Sequence, residues 1–222
     1  MPRHENNALD KFLQEQQESN YIRPSKSSYA APLFFVGKKD GDVRPVQDYQ
    51  VLNSYTVKNN HPLPLISKLI DRVAKVLLFS KVDVRKGFNN IWIKEGDEWK
   101  AAFKTNRGLF KPTVMFFRLT NSPSTFQSMM DTIFKDLVLT GKVVFYMDNI
   151  LIATPDNLTH HRQLVHRILD RLEEHDLYLK PKKCIFEVRK AEFLGVILRH
   201  GQVHMDPVKV LRNDAWTLTT RL

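Results

Sequence analysis

With 222 residues, of which 42% are hydrophobic and 26% charged, the chain can bury a sizeable core and is not of the disordered class. Lysine and arginine outnumber aspartate and glutamate by 34 to 24, and the net charge of +10 suits a partner made of phosphates. The single cysteine, Cys184, excludes an internal disulfide framework and a cysteine-rich zinc module. The sequence shows no signal-like N-terminal stretch and no run of about 18 or more apolar residues. We therefore expect a soluble intracellular protein without a membrane partner, in the cytoplasm or the nucleus.

The first third of the chain predicts a short helix and a β-hairpin. Residues 9–18 are polar and compatible with a helix, and a loop rich in serine and proline follows them. The β-prone runs 32–37 and 43–46 flank a turn that contains Asp40-Gly41, a pair typical of hairpins. Three cations lie near the tip of this predicted hairpin: Lys38, Lys39 and Arg44.

The middle of the chain predicts a helix, a buried strand and an inserted hairpin. Apolar residues recur at helical spacing over 65–74. The nearly continuous apolar run 76–83 predicts a buried strand that ends in Asp83. Residues 90–104 alternate in polarity around a Glu-Gly-Asp turn, which predicts a second hairpin.

The C-terminal half predicts two long helices and two pairs of short strands. A helix over 122–139 begins with Ser-Pro, a helix cap followed by proline at the first helical position. Residues 157–175 carry apolar side chains on one helical face. The β-prone runs are two within 142–153, which meet at Asp148-Asn149, and two more near Cys184 and Phe193.

Without the insertion, the order from residue 76 onward is the β-α-β-β-α-β pattern of a ferredoxin-like split sheet in an α+β fold. In that topology the first and third strands are neighbours. Asp83, at the end of the first, is then expected beside Asp148, placed at the turn after the third.

Either acid alone would more often be structural, since aspartate is common in turns. Two adjacent carboxylates repel each other, however, and a hard divalent cation is the usual remedy. In a basic protein the pair predicts two-metal phosphoryl transfer.

Two other groups of side chains have ordinary alternatives. The cations of the hairpin 32–46 could clamp a triphosphate, or they could simply face solvent. His160 and His161 begin a helix and lack the spaced partners of a zinc site, so we expect both to be solvated.

The run Tyr146-Met147-Asp148-Asn149, between two hydrophobic strands, resembles the Tyr-x-Asp-Asp box of reverse transcriptases. Further segments resemble the polymerases of gypsy-type long-terminal-repeat retrotransposons, which have a retroviral-like pol. In the same order along the chain, they are 43–53, 61–64, 79–83, 88–91, 93–103, 119–127 and 193–195. An ordered set of this length, covering roughly residues 20–210, is far more specific than a single box.

The resemblance implies a right-hand polymerase fold whose palm contains the split sheet, with the thumb largely absent. The implied regions are an N-terminal polar extension (1–19), fingers (20–58 and 91–121), a palm (59–90 and 122–206) and a truncated, diverged tail (207–222).

The resemblance also implies roles for single residues. Asp83, Asp148 and the backbone carbonyl of Val84 match the ligands of Mg²⁺, with Mn²⁺ as a possible substitute. Phe88 matches the aromatic gate that crowds a ribose 2′-hydroxyl. The residues that match the pocket of the incoming deoxynucleoside triphosphate are Lys39, Arg44, Phe88, Phe117 and Arg118, and those that match the primer grip are Phe193, Leu194 and Gly195.

Asn149 and Arg118 are two of the positions that depart from the family pattern. Asn149 stands where the family has its second box aspartate, so the catalytic site loses one of three anions. Arg118 stands where a glycine is usual, and a positive φ there would strain the backbone. The expected function is RNA-directed DNA polymerisation on an RNA or DNA template-primer, impaired by Asn149 and the missing thumb, with RNase H and integrase domains supplied elsewhere. The alternative is a catalytically dead, nucleic-acid-binding remnant of a retrotransposon polyprotein.

Overall fold

The computed structural model describes residues 2–37 and 43–205; Lys38, Lys39 and the predicted tail 207–222 lie outside the described residues. The helices are α1 (Arg3–Glu18), α2 (Gln50–Tyr55), α3 (Ile66–Val73), α4 (Ser122–Ile133), α5 (Lys135–Leu139) and α6 (Leu158–Glu174). The strands are β1 (Ile22–Pro24), β2 (Leu33–Gly37), β3 (Val43–Gln47), β4 (Leu78–Asp83), β5 (Phe103–Thr105), β6 (Gly108–Pro112), β7 (Val143–Tyr146), β8 (Asn149–Thr154), β9 (Ile185–Val188), β10 (Lys190–Phe193), β11 (Val196–Arg199) and β12 (Gln202–Met205). Single 3₁₀ turns occupy Gly87–Asn90, Glu98–Ala101 and Pro181–Lys183. Within the described residues, no helix combines the length and apolar character needed to cross a bilayer.

The first of two compact units contains residues 1–60 and 86–126. It holds the sheet β1-β6-β5 and the predicted hairpin β2–β3. Helix α1 is longer than the predicted 9–18, and it buries Leu9 and Leu13 in the core of this unit. The Tyr49 hydroxyl is buried there and donates a hydrogen bond to the Ala101 carbonyl at 2.9 Å. Tyr49 thus satisfies a backbone acceptor that water does not reach.

The predicted hairpin over 90–104 is wrong. Residues after Gly96 enter the 3₁₀ turn Glu98–Ala101, and the observed hairpin pairs β5 with β6. Local side-chain hydrogen bonds explain the difference. Glu98 accepts from the Gly96 amide at 3.0 Å, whereas Thr105 accepts from the Arg107 amide at 3.0 Å and donates to the Gly108 carbonyl at 3.1 Å. Hydrogen bonds of this kind determine where the chain turns, and the alternation of polar and apolar residues gives no indication of them.

The second unit contains residues 61–85 and the chain from Gln127 onward. Its main sheet has the order β7-β8-β4-β9, the fourth-first-third-second order of a ferredoxin-like split sheet read from the other edge. The predicted topology is therefore confirmed, including the central β4–β8 pair, in which Asp83 lies opposite Asn149. One detail differs: the turn that carries Asp148 precedes the third strand, β8, rather than following it.

The strand predicted near Phe193 is instead part of a small second sheet of order β10-β11-β12. A two-residue turn, Leu194-Gly195, joins β10 to β11. Both turn residues have positive φ, 50° at Leu194 and 87° at Gly195, as a type I′ hairpin turn requires.

The prediction that His161 is solvated is wrong. Its side chain is fully buried beneath the central strands, where its ring nitrogens pair with Ser80 Oγ at 2.8 Å and Thr154 Oγ1 at 2.7 Å. His160, one residue earlier, is only half-buried and contacts Lys142. Burial lowers the pKa of His161 below its ordinary 6.5, and the nearby Glu187 carboxylate partly offsets that effect.

Acid is therefore expected to destabilise the protein through His161. The unfolded chain takes up this proton near pH 6.5 and the folded chain only at lower pH, so the free energy of unfolding should fall as pH drops below about 6.5. The slope from this residue is at most about 1.4 kcal/mol per pH unit. Urea unfolding between pH 7 and 5 measures it. His161→Gln should flatten the slope, whereas His166→Gln, at an exposed position of α6, should leave it unchanged.

Candidate catalytic centre

Asp83 ends the central strand β4, and its side chain is only 8% exposed. Two lysines compensate for its charge. Lys180 Nζ lies 2.7 Å from Asp83 Oδ1, and Lys183 Nζ lies 3.6 Å from Asp83 Oδ2. A buried carboxylate without such partners would be strongly unfavourable. Asp83 is thus paired with two ammonium groups at the end of the central strand.

Asp148 lies beside Asp83, as the sequence predicts. It occupies the two-residue turn between β7 and β8, and its carbonyl accepts a hydrogen bond from the Val84 amide at 2.8 Å. Asp148 Oδ2 is 3.7 Å from Lys180 Nζ. One ammonium group therefore faces both carboxylates.

Asn149 begins β8 and faces its neighbour Asp148. Its Nδ2 donates a hydrogen bond to Asp148 Oδ1 at 3.1 Å. An aspartate at this position would have no proton to donate and would repel Asp148 instead. In the part of the chain that the structure describes, no three or more His, Cys, Asp or Glu side chains form a group that could hold a metal ion. Within the described residues, the centre thus has two carboxylates, those of Asp83 and Asp148.

The two carboxylates nevertheless suit a hard divalent cation. Carboxylate oxygens are the ligands that Mg²⁺ prefers, and Mg²⁺ is commonly held by one or two of them. The position of Lys180 Nζ between Asp83 and Asp148 shows that a positive charge fits this place. The ammonium group of Lys180 thus supplies one positive charge to both carboxylates.

Lys180 and Lys183 were not predicted from the sequence as site residues. They come from a run of cations, Lys180-Pro181-Lys182-Lys183, that follows α6 and forms a single 3₁₀ turn. The Lys180 amide donates to the Asp83 carbonyl at 2.9 Å, which fixes this turn beside the end of β4. The density of positive charge in this segment could have indicated a contact with acidic residues, but only the fold identifies which lysines reach Asp83 and Asp148.

The first unit brings three of the predicted nucleotide-pocket residues together. The rings of Phe88 and Phe117 lie 6.3 Å apart, and the Arg44 guanidinium lies 5.9 Å from the Phe117 ring. Phe88 also packs edge-to-face on Phe126 at 5.9 Å. Phe117 remains 59% exposed, an uncommon degree for a phenylalanine whose neighbours are themselves aromatic. This cluster could stack against a planar or cationic ligand.

Arg118 has a φ of 79°, in the left-handed region that favours glycine. Its guanidinium lies over the ring of Phe34, 4.8 Å from the centroid. Asn53 holds the backbone of the loop, donating to the Arg118 carbonyl at 2.7 Å and accepting from the Thr120 amide at 2.9 Å. The strain expected from the sequence is therefore present, and a side-chain contact partly offsets it.

The predicted primer-grip residues lie in the second unit. Phe193 is buried in the core of that unit, and Leu194 and Gly195 form the β10–β11 turn described above. A buried phenylalanine is thus followed directly by a tight, partly buried turn.

Comparison with known proteins identifies what this chain is similar to. Residues 36–198 match the family model described as reverse transcriptase (RNA-dependent DNA polymerase). The transposon Tf2-7 and Tf2-3 polyproteins of Schizosaccharomyces pombe (strain 972) are 36% and 35% identical to it over 188 residues. Those alignments cover 85% of this chain but 14% of each polyprotein, so the chain spans about one-seventh of the length of these relatives.

Solved structures share the fold. The foamy viral protease-reverse transcriptase in complex with an RNA/DNA hybrid aligns with a TM-score of 0.86 and 18% identity, covering 94% of this chain and 28% of that one. A second foamy viral structure, in complex with double-stranded DNA, aligns with a TM-score of 0.86 and 18% identity, covering 93% of this chain and 36% of that one. The expected α+β polymerase fold is confirmed.

Proposed function

The chain belongs to the reverse transcriptase (RNA-dependent DNA polymerase) family, and from this premise we propose that it extends a primer on an RNA or DNA template, with a catalytic centre weakened by Asn149. It is a reverse transcriptase domain of the kind found in retrotransposon polyproteins. The gypsy-type lineage is part of the proposal, and the ordered motifs from 43–53 to 193–195 support it. The observation that carries the catalytic proposal is the shared contact of Asp83 and Asp148 with Lys180 Nζ.

Reverse transcriptases use divalent metal ions, and the proposed ligands here are Asp83, Asp148 and the Val84 carbonyl. When bound, Mg²⁺ or Mn²⁺ lowers the pKa of the primer 3′-hydroxyl and stabilises charge in the in-line transition state. Asp83 and Asp148 orient this site because one ends a rigid strand and the other is fixed by the Val84 amide. Asn149 contributes no negative charge, so the affinity for the cation is expected to be low.

The proposed pocket for the incoming nucleotide uses residues of the first unit. Arg44, with Lys39 from outside the described residues, would hold the triphosphate, since guanidinium and ammonium groups both pair with phosphate oxygens. The Phe88 ring would exclude a 2′-hydroxyl, and Phe117 with Arg118 would border the base and sugar. The Phe193-Leu194-Gly195 turn is the proposed primer grip.

The proposed partners are a template-primer duplex and deoxynucleoside triphosphates. The foamy viral enzymes of the same fold bind an RNA/DNA hybrid or double-stranded DNA, which supports a duplex ligand. The net charge of +10 suits such a polyanion. Because its relatives are polyproteins several times longer, we also propose that RNase H and integrase domains act alongside this domain.

Primer extension on an RNA template, with Mg²⁺ or Mn²⁺, tests the catalytic proposal. Asp83→Asn should reduce extension by at least about 100-fold, because it removes a charge that acts on the transition state. Binding of the template-primer, measured by fluorescence anisotropy, should stay within about twofold and weaken with salt. Asp156→Asn, at an exposed acid paired with Arg189, is the matched control and should change neither quantity.

Two other results would count against this proposal. Extension that persists in Asp83→Asn would mean that the polymerisation does not depend on this centre. A native chain that binds duplex but extends nothing, with binding unchanged by Asp83→Asn, would favour the nucleic-acid-binding remnant.

A further inference from the structure

The turn that carries Asp148 is strained. Met147 is the first of the two turn residues between β7 and β8, and its φ is 52°. Glycine or asparagine is favoured at such a position, and a methionine there costs on the order of 1 kcal/mol. The backbone of Met147 leads directly into Asp148, so a change in its conformation would redirect the Asp148 carboxylate. Some interaction must hold this turn against relaxation.

A buried glutamine supplies that interaction. The Met147 amide donates a hydrogen bond to Gln127 Oε1 at 2.9 Å. Gln127 projects from α4 and is completely inaccessible to solvent. A hydrogen bond in such a place is strong, and leaving the Met147 amide without it would be costly.

The orientation of that glutamine is itself fixed by charge. Gln127 Nε2 donates to Asp131 Oδ1 at 2.9 Å, one helical turn further along α4. Since a carboxylate only accepts hydrogen bonds, this contact leaves the Gln127 oxygen facing Met147. Asp131 is oriented in turn by His61, whose Nε2 lies 2.9 Å from Asp131 Oδ2.

We propose that Gln127 is a positioning residue for the catalytic turn, and that Asp131 and His61 set its orientation. The four residues form one hydrogen-bonded series from His61 at the partly exposed edge of the unit to the Met147 amide beside Asp148. The series gives a structural role to Gln127, the last residue of the 119–127 motif, and to His61, the first residue of the 61–64 motif. The assignment rests on the proposed function only where metal binding is the readout.

Exchange of charge along the series gives the sharpest test. Gln127→Glu places a carboxylate next to Asp131, and the two anions repel. In the double variant Gln127→Glu/Asp131→Asn, the new glutamate accepts a hydrogen bond from the Met147 amide, and the new asparagine donates one to that glutamate. The hydrogen-bond geometry is restored, and the net charge equals that of the native chain. Gln127→Leu removes the acceptor altogether, with Gln163→Leu on the exposed face of α6 as the matched control.

The first readout is amide hydrogen exchange measured by NMR on the full chain, without metal. In Gln127→Leu and Gln127→Glu, exchange of the Met147 amide should increase at least about tenfold more than that of Ile152, in the same sheet. In the double variant, the ratio of the Met147 exchange rate to the Ile152 exchange rate should return to within about threefold of its native value. If all amides of the sheet accelerate equally, Gln127 contributes only to general stability and the proposal fails.

The second readout is the affinity for Mn²⁺ in the absence of other ligands, which titration calorimetry measures. Gln127→Leu should weaken Mn²⁺ binding about tenfold, the scale for residues that orient metal ligands, and the double variant should recover it. Suppose that the native chain binds Mn²⁺, that Asp83→Asn abolishes this binding, and that all Gln127 variants keep it. This result would overturn the positioning role of Gln127 and leave the proposed metal centre intact. If the native chain binds no Mn²⁺, the proposed metal centre fails, and the exchange ratio alone decides on Gln127.

Discussion

Asn149→Asp is expected to raise primer extension in Mg²⁺ by about 100-fold or more and to tighten Mn²⁺ binding at least about tenfold. The substitution adds a third carboxylate next to Asp148 and opposite Asp83, where it helps to hold the cation that stabilises the negative charge developing in the transition state. Primer extension and calorimetric titration with Mn²⁺ measure the two effects. Asn157→Asp, beyond the other end of β8, adds the same charge at a helix cap that accepts aspartate equally well, and it should change neither.

The same substitution is expected to lower stability when no metal is present. It replaces the Asn149–Asp148 hydrogen bond by repulsion between two carboxylates, so the melting temperature should fall without metal. Mn²⁺ should then raise the melting temperature of Asn149→Asp more than that of the native chain, since at a given concentration a ligand stabilises more when it binds more tightly. Equal shifts in both proteins would mean that residue 149 does not face the metal.

Arg118→Gly is expected to be more stable than Arg118→Ala by about 1 kcal/mol, the reverse of the usual order. At a φ of 79° glycine escapes the steric penalty that any other residue meets, while both variants lose the contact with Phe34. Urea unfolding gives the two free energies. The native chain should lie near Arg118→Gly, because its cation–π contact, worth about 0.5–1 kcal/mol, offsets most of the strain.

The same pair of substitutions at an exposed helical position provides the control. In α1, Lys11→Ala should be more stable than Lys11→Gly by about 1 kcal/mol, since alanine is favoured in a helix interior. If the order at residue 118 matches that at residue 11, the positive φ stores no strain, and the departure from glycine has no cost.

The palm-like sheet could be predicted because its strands carry a strong signal. The apolar run 76–83 predicts a buried strand, and the alternation of strands and helices then allows few topologies. Asp83 and Asp148 follow from that topology, since the ends of neighbouring strands meet. The strands of the main sheet are thus predicted from segment patterns, and their order and the acid pair from the topology that those patterns allow.

Other features depend on contacts between segments, and no local pattern reports them. Lys180 is one of several lysines in its run, and its role comes from the backbone bond that fixes it beside Asp83. Gln127 occurs in a polar stretch of α4, and only the fold shows that it is buried beneath Met147. His161 was expected in solvent because its buried partners, Ser80 and Thr154, are on strands whose distance from α6 the sequence does not give.

The position of β4 has a consequence for how the protein is made. This strand is central in its sheet, yet both of its neighbours, β8 and β9, come much later in the chain. As the polypeptide leaves the ribosome, β4 emerges with two unpaired edges and an apolar surface, the state most prone to aggregation. Such non-local pairing also makes folding slow. Asp83 and Asp148 become neighbours only when β4 pairs with β8, so the acid pair of the proposed catalytic centre cannot form before β8 has been synthesised.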